Sequence, residues 1–215
     1  STAIGVAALQ AQNFTTATDS HNTAVGYNAG AAVSTGTQNT LIGGQAGDAL
    51  SDADFNVVIG TDALTVDTLG SRSVAIGRRA LYTQNFTTAT DNYNVAVGFE
   101  AGNDITTGVR NTLVGGLAGD ALTDADDNLA VGYAALGGNL LGSRNTALGA
   151  YTFEALNPAT AAQTYNTAVG YAAGNVITTG ANNTFVGALA GDATDDGAGC
   201  VAVGYSALSA NCGAS

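Results

Sequence analysis

The chain has 215 residues, of which 10% are charged, and its 17 acids against five arginines, with no lysine, give a net charge of −12. So few cations exclude neutralisation of a phosphate backbone, and with it nucleic-acid binding, while anionic membranes would repel the chain. Membrane insertion is not expected either, because Gly, Asn, Thr or Asp breaks every apolar run well short of the roughly 20 residues a span requires.

The first five residues, Ser1 to Gly5, already open the pattern that organises the rest, so the sequence reads as a mature or excised product without a signal peptide. The same motif, Asn-Thr-Ala-Val-Gly in its fullest form, returns at Asn22 to Gly26, Asn39 to Gly43, Asn56 to Gly60 and Ser73 to Gly77. It continues at Asn94 to Gly98, Asn111 to Gly115, Asn128 to Gly132, Asn145 to Gly149, Asn166 to Gly170, Asn183 to Gly187 and Cys200 to Gly204. Successive motif glycines lie 21, 17, 17 and 17 residues apart, and the series then repeats with a 72-residue period. Internal periodicity of this kind decides a fold before any local propensity does. The expectation is an all-β chain: one parallel β-solenoid, or β-roll, of twelve 17- and 21-residue coils. It forms a single repeat domain over residues 1–215 in three tiles of approximately 1–72, 73–144 and 145–215.

Within each coil, the residue before the Gly is always Ile, Val or Leu, from Ile4 and Val25 through Val203, and is expected to be buried. The residue two earlier shares its face by the period of a strand, while the residue between them, mostly Ala but Leu41, Val58, Leu113 or Phe185 in places, points the other way. With both faces apolar, both are expected to be covered, one filling the solenoid and one meeting another chain, which favours a homotrimer. The Gly marks a tight bend or a close backbone approach. A second short segment follows at Ala29-Gly30, Ala63-Leu64 and Ala135-Leu136, then turn residues such as Thr35-Gly36. Parallel stacking at about 4.8 Å per layer makes twelve coils roughly 55 to 60 Å long. The Asn that opens most motifs is expected to form a side-chain amide ladder from layer to layer, with a plain turn-forming role as the alternative.

Ser73-Val74-Ala75-Ile76-Gly77 and Asn22-Thr23-Ala24-Val25-Gly26 resemble the head repeats of trimeric autotransporter adhesins. They are also similar to the Asn-Thr-Ala-x-Gly repeats of phage tail fibres. The resemblance covers nearly the whole chain and implies parallel β-rolls, usually trimeric, that bind host surfaces or matrix. Coils of 17 and 21 residues are longer than those of the adhesin heads.

The remaining constellations are weaker. The 21-residue coils carry loops at Gln12 to Asp19, its near copy Gln84 to Asp91, and Asn157 to Thr160. They are read as longer turns, or alternatively as contacts to a receptor, a neighbouring fibre or a glycan. Asn13, Asn85 and Asn182 each begin an Asn-x-Thr acceptor pattern and are glycosylation candidates. The only His, His21, is read as a turn residue. Acids cluster in turns, and Asp52, Asp54, Asp124, Asp126 and Asp127 are weak Ca²⁺ candidates through their hard oxygens; a solvated acidic edge that discourages sideways pairing is the simpler reading. Tyr27, Phe99, Tyr133, Tyr171 and Tyr205 follow the motif Gly and are read as packing between coils, with a sugar-binding stripe as the alternative. Thr15-Thr16 and Thr106-Thr107 raise ice binding, but such pairs do not recur in every coil. Gly137 to Gly142 lacks the strand-turn-helix setting of a dinucleotide fingerprint. No catalytic residue, cofactor or confident metal site is assigned, and the chain is not expected to be an enzyme.

Cys200 and Cys212 are the only cysteines and are expected to form a disulfide, which points to an extracellular, cell-surface or virion setting, with two unpaired small residues as the alternative. The first and last coils are nearly in phase, so Ser1, Ile4 and Gly5 are expected to stack on Val203, Gly204 and Leu208 of another copy in a non-closing, head-to-tail polymer. The chain is therefore expected to be a structural fibre subunit. An adhesin head or receptor-binding tail-fibre segment that recognises a surface glycan or protein is the alternative.

Overall fold

Residues 1–210 are described by the structure, a computed structural model. Its strands in chain order are β1 (Thr2–Ile4), β2 (Thr23–Val25), β3 (Thr40–Ile42), β4 (Val57–Ile59), β5 (Gly70–Ser71), β6 (Val74–Ile76), β7 (Thr90–Asp91) and β8 (Val95–Val97). They continue as β9 (Thr112–Val114), β10 (Leu129–Val131), β11 (Gly142–Ser143), β12 (Thr146–Leu148), β13 (Ala162–Gln163), β14 (Thr167–Val169), β15 (Thr184–Val186) and β16 (Val201–Val203). One three-residue strand per coil enters a single twelve-stranded sheet in the order β1-β2-β3-β4-β6-β8-β9-β10-β12-β14-β15-β16. Every pairing is parallel and places motif on motif, as in Ala24 opposite Leu41 and Val25 opposite Ile42, or Ala168 opposite Phe185. The chain is a parallel β-solenoid of about twelve turns, and the described residues contain no helix.

The motif glycines stand in a column, each with a strongly positive φ such as +142° at Gly26. A Cβ at Gly26 would lie 2.3 Å from the carbonyl oxygen of Gly43 in the next layer, so conformation and clearance both demand glycine. Three further positions per coil take the left-handed region, illustrated by Asn28, Gly30 and Gln38 in the second coil. Non-glycine residues tolerate it there because the same bend recurs in every layer and each layer's hydrogen bonds hold it.

The core inverts one expectation. The mid-strand residue, whether Ala24, Leu41, Val58, Leu113 or Phe185, is fully buried. The Ile or Val before the Gly faces outward instead: Ile42 and Ile59 are each 37% exposed, as β3 and β4 show in their burial patterns. The buried Asn two residues before the mid-strand position sets this parity, since strand residues two apart share a face. The interior of a 17-residue coil is also too narrow for a large side chain at every rung. Bulk is rationed between positions: Gly30 leaves room that Leu41 and Val33 fill, and Gly174 leaves room for Phe153 and Phe185, whose rings sit 6.3 Å apart.

The amide ladder is present. Asn39 donates through Nδ2 to the Ala53 carbonyl of its own coil at 2.7 Å. Its Oδ1 accepts the backbone N–H of Asn56 in the next coil at 2.9 Å, and the pattern recurs at Asn111 and Asn128. Where Ser73 replaces the Asn, Asn92 supplies the missing oxygen, accepting from Ser73 Oγ at 3.0 Å and from the N–H of Asn94 at 2.9 Å. The amides of Asn39, Asn111 and Asn128 thus each close their own coil and link it to the next, which satisfies groups that burial would otherwise leave costly.

Candidate functional site

Beyond the core, the solenoid presents an outward sheet face, turn edges, and a cleft beside the second tile junction. On the outward face, the Ile/Val column runs beside a Thr/Val column that includes Thr23, Thr40, Val57, Val74 and Thr112. The Ile/Val column is at most 38% exposed in the interior layers and 60% and 70% exposed only at the terminal Ile4 and Val203. Next to it stands the aromatic column. Tyr27, Phe99, Tyr133, Tyr171 and Tyr205 are exposed, and two of these rings, Tyr133 and Tyr171, also pack edge to face against Tyr151 of the coil between them.

The turn edges use their acids to bond one layer to another. Asp54 Oδ1 accepts from Thr37 N–H at 2.6 Å and from Thr37 Oγ1 at 2.9 Å, and Asp52 Oδ1 accepts from Thr35 Oγ1 at 2.6 Å. Asp126 Oδ1 accepts the N–H of Val109 at 2.8 Å. Asp127 takes Arg110 Nε at 2.5 Å and lies 3.5 Å from Arg144 Nε; the Arg110 guanidinium, first of all, holds its carboxyl below the usual range. Asp124 is exposed at its turn and accepts from Thr123 Oγ1 at 3.3 Å. The Ca²⁺ candidates are therefore spread over separate bonds, and among the described residues no three acids, histidines or cysteines converge into a set able to hold a metal.

The Gln84 to Asp91 loop is anchored more firmly than a plain extended turn. Buried Asp67 accepts from the N–H groups of Gly70 and Phe86, each at 3.0 Å, and from Gln84 Nε2 at 2.6 Å. Gln84 and Phe86 are drawn inward while Thr87, Thr88 and Ala89 project, and β7 returns to pair with β5. In the third tile, β13 pairs with β11 in the same way. Among the glycosylation candidates, Asn13 and Asn182 are exposed, whereas Asn85 is half-buried and accepts from Thr68 Oγ1 at 3.3 Å. His21 is an exposed turn residue with φ +51°. Cys200 opens the last motif with its N–H on Asn183 Oδ1 at 2.8 Å; the expected pairing involves Cys212, which lies outside the described residues.

A cleft of about 450 Å³ opens across three layers where the second tile meets the third. Ala134, Gly137 and Gly138 form its floor in the middle layer, and the layers on either side contribute Asp120 and Glu154. Tyr133 and Tyr151 also line it, with ring centroids 5.5 Å apart edge to face, and Tyr171 extends the array at 5.9 Å from Tyr151. The Asp120 carboxyl is pushed up to about 6, by burial first and then by the carboxylates of Asp104 and Glu100. Neither Tyr151 nor Glu154 directly follows the motif Gly, so the motif alone does not mark them. A comparison of the tiles at their 72-residue offset would have singled them out, since they replace Arg79 and Tyr82.

No family model matches the chain. No curated protein matches it, and no solved structure does.

Proposed function

We propose that the chain is a structural rod, a segment of an extracellular or virion fibre that assembles with copies of itself, with assembly and not catalysis as its work. The observation that carries this is the uninterrupted in-register sheet. Each motif strand bonds to the next through the same groups, as in Gly26 N–H to the Ile4 carbonyl and Gly43 N–H to the Val25 carbonyl, both at 2.8 Å. Such a stack lengthens by whole layers, within one chain or between copies, without any change of geometry.

Two kinds of contact with other copies are open to it. Stacked end to end, Gly5 N–H and Ala7 N–H of one copy would meet the Val203 and Tyr205 carbonyls of another. That repeats the bonds that Gly26 and Asn28 make to Ile4 and Val6. Side by side, the outward Ile/Val and Thr/Val columns offer a long apolar face for the same face of further copies, in a trimer or another bundle. Negative-stain imaging with analytical ultracentrifugation over a concentration series tests both. Rods longer than the ~58 Å of twelve layers, or wider than one solenoid, are expected as concentration rises. Single rods of one chain's dimensions at every concentration would remove the proposal.

A second reading, an adhesin or receptor-binding segment, draws support from the projecting aromatic column, since exposed rings stack on sugar faces. Glycan-array binding that disappears when Tyr27, Phe99 and Tyr171 are changed to Ala would favour it over the rod.

A further inference from the structure

The two tile junctions are equivalent in backbone but not in content. At the first, the Arg79 guanidinium lies 5.0 Å from the centroid of the Tyr82 ring, 4.0 Å from the Asp62 carboxylate and 3.9 Å from Glu100. Seventy-two residues on, Arg79 becomes Tyr151, Tyr82 becomes Glu154, Asp62 becomes Ala134 and Thr65 becomes Gly137. Aromatic rings and carboxylates are retained in a new arrangement, the cation is gone, and the cleft described above opens there.

We propose that this cleft is a binding site for an organic cation, a guanidinium or alkylammonium group, seated between Asp120 and Glu154 against Tyr133 and Tyr151. Rings supply the negative face that attracts a cation, and carboxylates close the charge around it. The first junction exhibits the same chemistry satisfied from within the chain. No arginine lines the cleft, and the chain has no lysine. Its size falls within the range of small-molecule sites, ~300–1,000 Å³. Gly137 keeps the floor open, since a Cβ there would stand 3.3 Å from Asp120 Oδ1 and 3.2 Å from the Ala134 carbonyl. The charge around Asp120 points the same way, because Asp104 and Glu100 crowd it from the preceding layer and a bound cation relieves that repulsion. This inference does not depend on the rod: a monomeric chain would bind the cation equally well.

Calorimetric titration of the 215-residue chain with N-acetyl-arginine methylamide tests it, with tyrosine fluorescence as a second readout and methyl glucoside as a neutral comparison. Weak saturable binding, with a dissociation constant of about 1–10 mM, is expected from two partly exposed carboxylates and a cation–π contact. Gly137→Thr, which installs the residue of the first junction, should abolish it, and Glu154→Gln should weaken it about two- to fivefold. Circular dichroism and thermal melts establish that each variant folds. An arginine-containing peptide that binds at least about tenfold more tightly than the free probe identifies a partner chain as the source of the cation, and equal affinities identify a small molecule. No saturable binding, binding that Gly137→Thr leaves intact, or a preference for methyl glucoside would each overturn the proposal.

Discussion

At the scale of single residues, the fold depends on a few columns whose members cannot be exchanged. Asn111 donates to the Ala125 carbonyl at 2.8 Å and accepts the N–H of Asn128 at 3.0 Å, so Asn111→Ala strands two buried backbone groups. A loss of ~2–4 kcal/mol is expected, seen as a lower urea midpoint, whereas Asn13→Ala on the exposed loop should stay within ~0.5 kcal/mol. Glycines divide in the same manner. Gly26→Ala drives a Cβ into the Gly43 carbonyl and should cost at least ~3 kcal/mol. Gly44→Ala meets nothing nearer than Thr61 Cγ2 at 4.0 Å and should melt like the parent. Asp120 titrates against stability. Its folded carboxyl is pushed up to about 6 from 3.8, so the folded state holds its proton more tightly and stability falls as pH rises through that window. Asp120→Asn should therefore raise the melting temperature at pH 8 and change it little at pH 4; an equal change at both would show that the charge is not the cause.

At the scale of one strand and its turns, the repeat, its 72-residue tiling, the parallel stacking and the Asn ladder were all legible in the sequence, because each is a matter of spacing. The direction of the strand faces was not. Ile42 and Val114 look like core by hydropathy, yet buried Asn39 and Asn111 fix the parity that turns Leu41 and Leu113 inward; a buried amide outweighed an apolar side chain as the marker of the inside. The cleft was not legible in the repeat motif itself, as it arises from what coils 72 residues apart do not share, and only the tile-to-tile differences at Tyr151 and Glu154 mark it. The outward columns make a further expectation. Ile42→Asp combined with Val114→Asp places like charges across any interface that pairs this face with itself, which is strongly unfavourable there, while the half-exposed positions keep the coil folded. Sedimentation should show smaller lateral assemblies than the parent. An unchanged size distribution would mean that copies do not meet through this face.

At the scale of the whole molecule, stability is one-dimensional, since each layer bonds only to the layers above and below. Interior layers such as β8 and β9 have two neighbours, whereas β1 exposes all three of its residues and β16 two of three. Hydrogen exchange should follow that order in dilute solution, slowest in the middle coils and fastest at β1 and β16, because local opening starts where fewest bonds must break. The same measurement separates the two modes of assembly. End-to-end stacking would give the Gly5 and Ala7 amides the Val203 and Tyr205 carbonyls as acceptors, so their exchange should slow as concentration rises while the middle coils change little. Lateral pairing through the apolar columns would leave those end amides fast and remove solvent from the outward side chains along the full length. Exchange at the ends that stays independent of concentration, in a sample whose rods widen but do not lengthen, would confine self-association to the sheet face.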